Sequence, residues 1–424
     1  MNVTRVGGLV LSCLALSLGQ VPAATNNWTN DVGGIFNVVN NWEGGVAPGA
    51  GDTASFTNVA NYTVTLSADA PLSESRVNAH ESTVTFDLAG FTLSPTNAFL
   101  VGTVSGRVAN AVVSNGVLLT RAMQVGAIGA EGSVTYYGVS NRISGAGGLN
   151  IGSGGTGVLT LADAQTMLYA TGGGTHFVGQ NAGSVGTVVV SNGLLNLTGF
   201  LTVGDAGRGT LALDGGTNII SSSVTIGSLA GSEGVVNMAG AGVSMVVTGG
   251  VNMGTSAGSM GYLNVSNGLL SIGGASAWGN AGRALVTLKG GSITGAFVAS
   301  LPRGAGTGTL VMASADSSFY SGGVLAPYGA GGRSEVYLSN GYMNADSMQL
   351  GFGNSSYGYI SVNNSTVDFR RTGGTALSIG GNYDGTTQNS TGLVVIADER
   401  AFRRVGHQIT GTCIGTAVGV GSNS

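Results

Sequence analysis

The chain has 424 residues, of which 78 are glycine, 8% are charged and 42% are hydrophobic, with a net charge of −4. The glycine comes with only six prolines and no G-X-Y triplet, which excludes collagen, and the apolar content excludes a disordered low-complexity chain. An acidic balance with Lys289 as the only lysine excludes a basic face for nucleic acid.

Residues 1–24 read as a secretory signal peptide. Arg5 supplies the charged start, Val6 to Leu18 the apolar run, and Val21-Pro22-Ala23-Ala24 a small-residue cleavage site. The apolar run is too short to span a membrane. "VLSC", ending at Cys13, offers a competing lipoprotein reading, against which stands the apolar sequence that follows it. After cleavage Cys413 is the only cysteine, so no internal disulfide is expected.

Residues 25–61 form an N-terminal cap and hold two of the three tryptophans. Trp28 and Trp42 admit two readings: an aromatic lid over the open end of a core, or a surface on which sugar rings stack. The first inward strand is predicted at Tyr62–Leu66.

From residue 62 to 396 the chain repeats. Apolar residues just before each turn recur at Phe86, Val113, Tyr136, Leu161, Val190, Leu213, Met238, Val265, Leu288, Met312, Leu338, Val362 and Ile396. Eleven steps separate Phe86 from Val362, a mean period of about 25 residues. The residue two before each anchor is also apolar and the one between is mixed, the alternation of a strand with one buried face. Four before each anchor stands Gly, Ala or Ser, the choice of a corner with positive φ or close backbone contact.

A second short strand follows each turn, its inward residues five and seven past the anchor: Leu195 and Leu197, Val243 and Met245, Leu270 and Ile272, Val367 and Phe369. A third ends in a V-G-like step such as "FLVG" (Phe99–Gly102), "LTVG" (Leu201–Gly204) or "LSIG" (Leu377–Gly380). Three strands and three corners per period predict an all-β fold: one elongated β-solenoid, or parallel β-helix, of about 13–14 coils, roughly 65 Å long at ~4.8 Å per coil. No helical period appears past the signal peptide.

The corners carry their own pattern. "SNG" begins at Ser114, Ser191, Ser266 and Ser339, about 75 residues apart, which suggests duplication of a three-coil block. Asn-Gly suits a left-handed corner. Arg208 and Glu233 occupy equivalent positions on consecutive coils and are expected to form a surface ion pair.

Chemistry is sparse. "GSGGTG" (Gly152–Gly157) matches a nucleotide-loop pattern but opens into "GVLTL", a strand, so no nucleotide site is expected. His80, His176 and His407 are far apart, and there is no C-x-x-C or H-E-x-x-H, so no metal and no cofactor are expected. Asp163, Asp214, Asp316 and Asp346 sit at different phases of the repeat, so no catalytic residues are assigned. A polysaccharide lyase or hydrolase on a β-helix scaffold is the alternative; it needs carboxylates converging on adjacent coils. Residues 397–424, opening with the charged "DERAFRR" (Asp398–Arg404), read as a C-terminal cap or a truncated or aberrant tail.

The repeat "GTLALDGGTNIISSSVTIG" (Gly209–Gly227) resembles the β-solenoids of autotransporter passengers and autotransporter-associated β-strand repeat proteins of bacterial surfaces. "NNWEGGVAPGAGDTASF" (Asn40–Phe56) looks like the W…G…P…GD.A.F lead-in common before such repeats. The resemblance covers residues 26–396. It implies secretion to the extracellular space or cell surface, outer-membrane association in some members, and often adhesion; it supplies no catalytic residues. The tail carries neither the strands of a C-terminal membrane barrel nor a sorting helix with a basic end, which favours a fragment or a freely secreted form. The resulting expectation is a non-catalytic, monomeric, adhesin-like or structural stalk. Its partners would be surface glycans or a host or neighbouring cell surface, with an inert spacer as a further alternative.

Overall fold

The structure, a computed structural model, describes residues 23–369, 377–379 and 390–396, together with the backbone of Phe402–Val405 and Gly419–Val420. The expected signal peptide, apart from Ala23 and Ala24, lies outside the described residues. So do Cys13, His407, Cys413, Gly380 and most of the tail.

The chain winds as a succession of three short walls into a β-solenoid of about 14 turns, nearly all β and 2% helical. One coil shows the plan. Its first wall is Arg208–Leu213, its second Thr217–Ile220 and its third Val224–Ile226. Each pairs in parallel with its counterpart one coil on, at Glu233–Met238, Ser244–Val247 and Val251–Met253.

The thirteen anchors fall in a single column. Phe86 lies opposite Val113, Val113 opposite Tyr136, and so on through Val362 opposite Ile396. The first twelve are buried. Period-two alternation therefore has a direct cause: every second side chain of the first wall enters a stacked core, where each Val, Leu or Ile contributes roughly 1.5–3 kcal/mol.

The small residue four before the anchor is selected by close approach, not by a left-handed backbone. A Cβ built on Gly132 would stand 2.5 Å from the Val101 carbonyl oxygen and 2.8 Å from the Gly126 nitrogen. The left-handed corner belongs to the V-G step itself: Gly126 has φ +71°, and a Cβ there would collide with the Thr156 carbonyl. The two glycines meet where one coil ends and the next begins, which is why both recur.

Two expectations shift in the fold. In the coil after Met238 the inward pair of the second wall is Met245 and Val247, which align with Asn218 and Ile220 before them and Leu270 and Ile272 after them. Two extra residues in the "MAGAGV" corner displace the register; Val243 is still buried, but in the corner. The ladder also begins earlier than Tyr62. Thr25–Asn27 pairs with Thr53–Phe56, and Gly34–Ile35 pairs with Tyr62–Thr65. These strands of three and two residues are too short to show alternation. Between Ile35 and Thr53 the second wall is missing. Two 3-10 turns, Val39–Asn41 and Glu43–Gly45, bring Trp42 back to an antiparallel bridge with Trp28.

At the other end, Phe402–Val405 pairs with the 367–369 segment and Gly419–Val420 with 395–396. These rungs lie beyond Ile396, where the repeat pattern stops.

Candidate functional site

Trp28 and Trp42 do not form a stacking surface, which corrects that expectation: they are 0% and 2% exposed. Their centroids are 5.1 Å apart at 90°, and Trp42 also meets Phe36 at 5.0 Å and Phe56 at 5.6 Å. Both indole N–H groups donate to backbone carbonyls, Trp28 to Asn30 and Trp42 to Phe36, at 2.6 Å each. A ring enclosed on both faces has none to offer a sugar. In the lead-in motif Asp52 is spent on structure, its carboxylate accepting from the backbone N–H of Gly49 at 2.9 Å and of Ala24 at 3.0 Å.

A second aromatic cluster lies deep in the repeat. Trp278 replaces the Val, Ile or Met of the V-G column and is fully buried. It meets Phe297 at 6.2 Å and Phe319 at 6.0 Å, and those two meet at 5.9 Å. The third wall is interrupted here. Val251–Met253 pairs with the next coil by a single backbone bridge, from Met253 to Trp278, and a separate five-stranded sheet carries the wall onward.

Outside this break lies a groove of about 210 Å³, lined among others by Asn252, Ala277, Ser300, Arg303, Leu325 and Tyr328. Its floor is low because outward positions that elsewhere hold longer side chains hold Ala277 and Ser300, which are 7% and 9% exposed. The Asn252 side-chain oxygen accepts from the Ala277 N–H at 3.3 Å. Tyr328 forms one rim. It is 43% exposed and stacked on Phe352, with centroids 5.5 Å apart and 12° between planes. The pair is held in step by the backbone, since Tyr328 N–H donates to Pro302 O and Phe352 N–H to Pro327 O.

Neither Arg303 nor Tyr328 was singled out by motif, although the sequence carries a signal for them. The corner position just past the V-G step reads Thr103, Ala127, Ser153, Gln180, Asp205, Ser228, Thr255 and Asn280, then Arg303, Tyr328 and Phe352. Mostly small residues give way to large ones from the coil where Pro302 replaces the step's glycine, as Pro327 does in the next.

Elsewhere Asp163, His80 and His176 serve corners and core. Asp163 accepts from the Thr166 hydroxyl at 2.7 Å and the Gly138 N–H at 3.1 Å. His80 Nδ1 accepts from the Val108 N–H at 3.2 Å. His176 is buried, its Nδ1 accepting from the Leu149 N–H and its Nε2 lying 3.2 Å from the Thr198 carbonyl oxygen. Burial lowers its pKa, against an opposing effect of the Thr198 hydrogen bond. Arg208 and Glu233 are adjacent as expected, at 3.9 Å, with the arginine largely exposed and the glutamate half-buried. Gly152–Gly157 passes from a corner into the strand Thr156–Leu161, and no helix follows. Among the described residues, no group of three or more His, Cys, Asp or Glu could hold a metal, and no helix is long and apolar enough to cross a membrane. Compared with protein-family models, curated proteins and solved structures, the chain matches none.

Proposed function

We propose that the protein is a secreted or cell-surface, non-catalytic β-solenoid that works as an adhesin-like stalk and contacts glycans through the third-wall groove. The observation that carries this reading is the stacked Tyr328–Phe352 pair beside a recessed floor of Ala277 and Ser300. An exposed aromatic face next to hydroxyl and amide groups is what a sugar ring, apolar on one face and polar at its edge, requires. The lining includes no carboxylate, whereas glycoside hydrolysis uses two; this favours holding a glycan over cleaving it. Secretion rests on the signal-like start, and the adhesin reading on the resemblance to bacterial surface solenoids.

A glycan array probed with the full chain and with Tyr328→Ala tests the proposal. Retention of at least one glycan class is expected, with a loss of about tenfold or more in the variant. A chain that binds no glycan, or binds equally without Tyr328, overturns it. Release of reducing ends from a bound glycan would instead support the hydrolase.

A further inference from the structure

We infer that the groove selects an acidic saccharide, one whose sugars carry carboxylates, with Arg303 as the carboxylate's partner and Tyr328 as the ring's platform. This inference rests on the glycan reading above.

The first ground is local charge. The chain as a whole is acidic at −4. Yet from Gly234 to Ala315 it carries Arg283, Lys289 and Arg303 and not one acid. That stretch supplies most of the groove, including Asn252, Ala277, Ser300 and Arg303. A basic segment set in an acidic rod focuses anions at one place along its length.

The second ground is that Arg303 has no carboxylate to satisfy it. Arg76, Arg208 and Arg333 are paired with Glu74, Glu233 and Glu335. Arg303 has no such ion pair among the described residues, is exposed, and lines a groove without acids. The acid in its own corner column, Asp205, is four coils away, about 19 Å at ~4.8 Å per coil and beyond the screening length in physiological salt. The nearest acid in sequence, Asp316, lies at the corner between the first wall, Thr307–Met312, and the second, Ser318–Ser321, away from the third-wall corner that carries Arg303; Glu335 is held by Arg333 on the first wall, and Asp346 lies at the opposite corner of the third wall.

The third ground is geometry. Arg303 and Tyr328 occupy the same corner position on consecutive coils, as Pro302 and Pro327 do just before them. The Arg303 backbone therefore stands one coil, about 4.8 Å, along from that of Tyr328, and both side chains line the groove. A uronate residue is close to this in size, with its ring on Tyr328 and its carboxylate against the planar fork of Arg303. Arg283 lies on the adjacent coil, just past the same corner, where it lines a second, smaller hollow with Tyr262 and Thr309. It strengthens the field without entering the groove.

The test titrates the full chain with an oligogalacturonate and with the same oligosaccharide fully methyl-esterified, which keeps the rings and removes the charge. A sulfated oligosaccharide serves as a third ligand. The oligogalacturonate is expected to bind at least about tenfold more tightly than its ester and to weaken as salt is raised. Arg303→Gln should remove that preference, Arg303→Lys should keep part of it, and Tyr328→Ala should weaken both ligands. Both side chains are exposed, so circular dichroism of the variants should match the parent. Equal binding of acid and ester, or an unchanged preference in Arg303→Gln, overturns the acidic-saccharide inference and leaves the glycan reading standing. Preference for the sulfated ligand over the carboxylate also overturns it. Failure of every ligand here and of every glycan on the array overturns both.

Discussion

Two regions of this solenoid are built around tryptophan, and they solve different problems. At the N-terminal end Trp28 and Trp42 close the core. Each is wrapped by other rings, and each has its indole N–H bonded to a carbonyl. Within the repeat Trp278 is equally buried, but its indole nitrogen has no hydrogen-bond partner among the described residues. The two lid indoles are thus satisfied, whereas Trp278 is a bulky insertion in a column of aliphatic residues and Met. Leaving such a group unpaired costs about 1–3 kcal/mol. It sits at the break in the third wall, next in the chain to Ala277 of the groove floor. The difference teaches that an aromatic cluster can close the end of a stacked core in one place and accompany a break in a wall in another.

The largest expected effect comes from opening the lid. Trp42→Ala should cost about 3–5 kcal/mol, read as a lower urea midpoint, because a fully packed ring is removed and the Phe36 carbonyl loses its donor. A loss below about 1 kcal/mol would mean that the cap does not hold the first coils.

At Trp278 the comparison predicts an asymmetry. Trp278→Ala should be nearly as costly, but Trp278→Phe should lie within about 1.5 kcal/mol of the parent, since it keeps the ring contacts with Phe297 and Phe319 and removes the unpaired N–H. Trp42→Phe, which deletes a satisfied donor, should cost more than Trp278→Phe by urea denaturation. The reverse order would break the distinction between the two regions.

Acid supplies a control, because the buried His176 lies between the clusters and belongs to neither. Burial holds its folded pKa below the unfolded value of about 6.5. The unfolded chain therefore takes up the proton first. The stabilising contribution of the neutral ring is complete above pH ~6.5 and is lost progressively as the pH falls below it. His176→Leu should flatten the urea midpoint between pH 7.5 and 5.5, while Trp42→Phe and Trp278→Phe should keep the parent's slope.

The smallest effect is expected at the surface pair Arg208–Glu233. Glu233→Gln should change stability by less than about 1 kcal/mol, and less still in high salt. A larger effect would mean that surface ladders share the load assigned here to the core.

Much of the fold was legible because its signals are local and repeated. The anchors from Phe86 to Ile396 lie in one register column, as their spacing implies, and the left-handed corners at Gly193, Gly268 and Gly341 agree with the recurring Ser-Asn-Gly. The misreadings arose where the period breaks. The corner before Met245 holds two more residues than its neighbours, and the strands at Thr25–Asn27 and Gly34–Ile35 are too short to alternate. The role of Trp28 and Trp42 was ambiguous because composition alone cannot tell an enclosed ring from an exposed one.

By itself the sequence determined that this chain winds into a parallel β-solenoid, since apolar alternation and small corner residues return at one spacing along most of its length. Only the tertiary structure decided which aromatics face inward, where the third wall breaks, and that Arg303 and Tyr328 come to stand on neighbouring coils beside a shallow floor. The reason is physical. A strand's buried face follows from its own period of two, but a groove is made by side chains from successive coils, and which of them meet depends on the register between rungs.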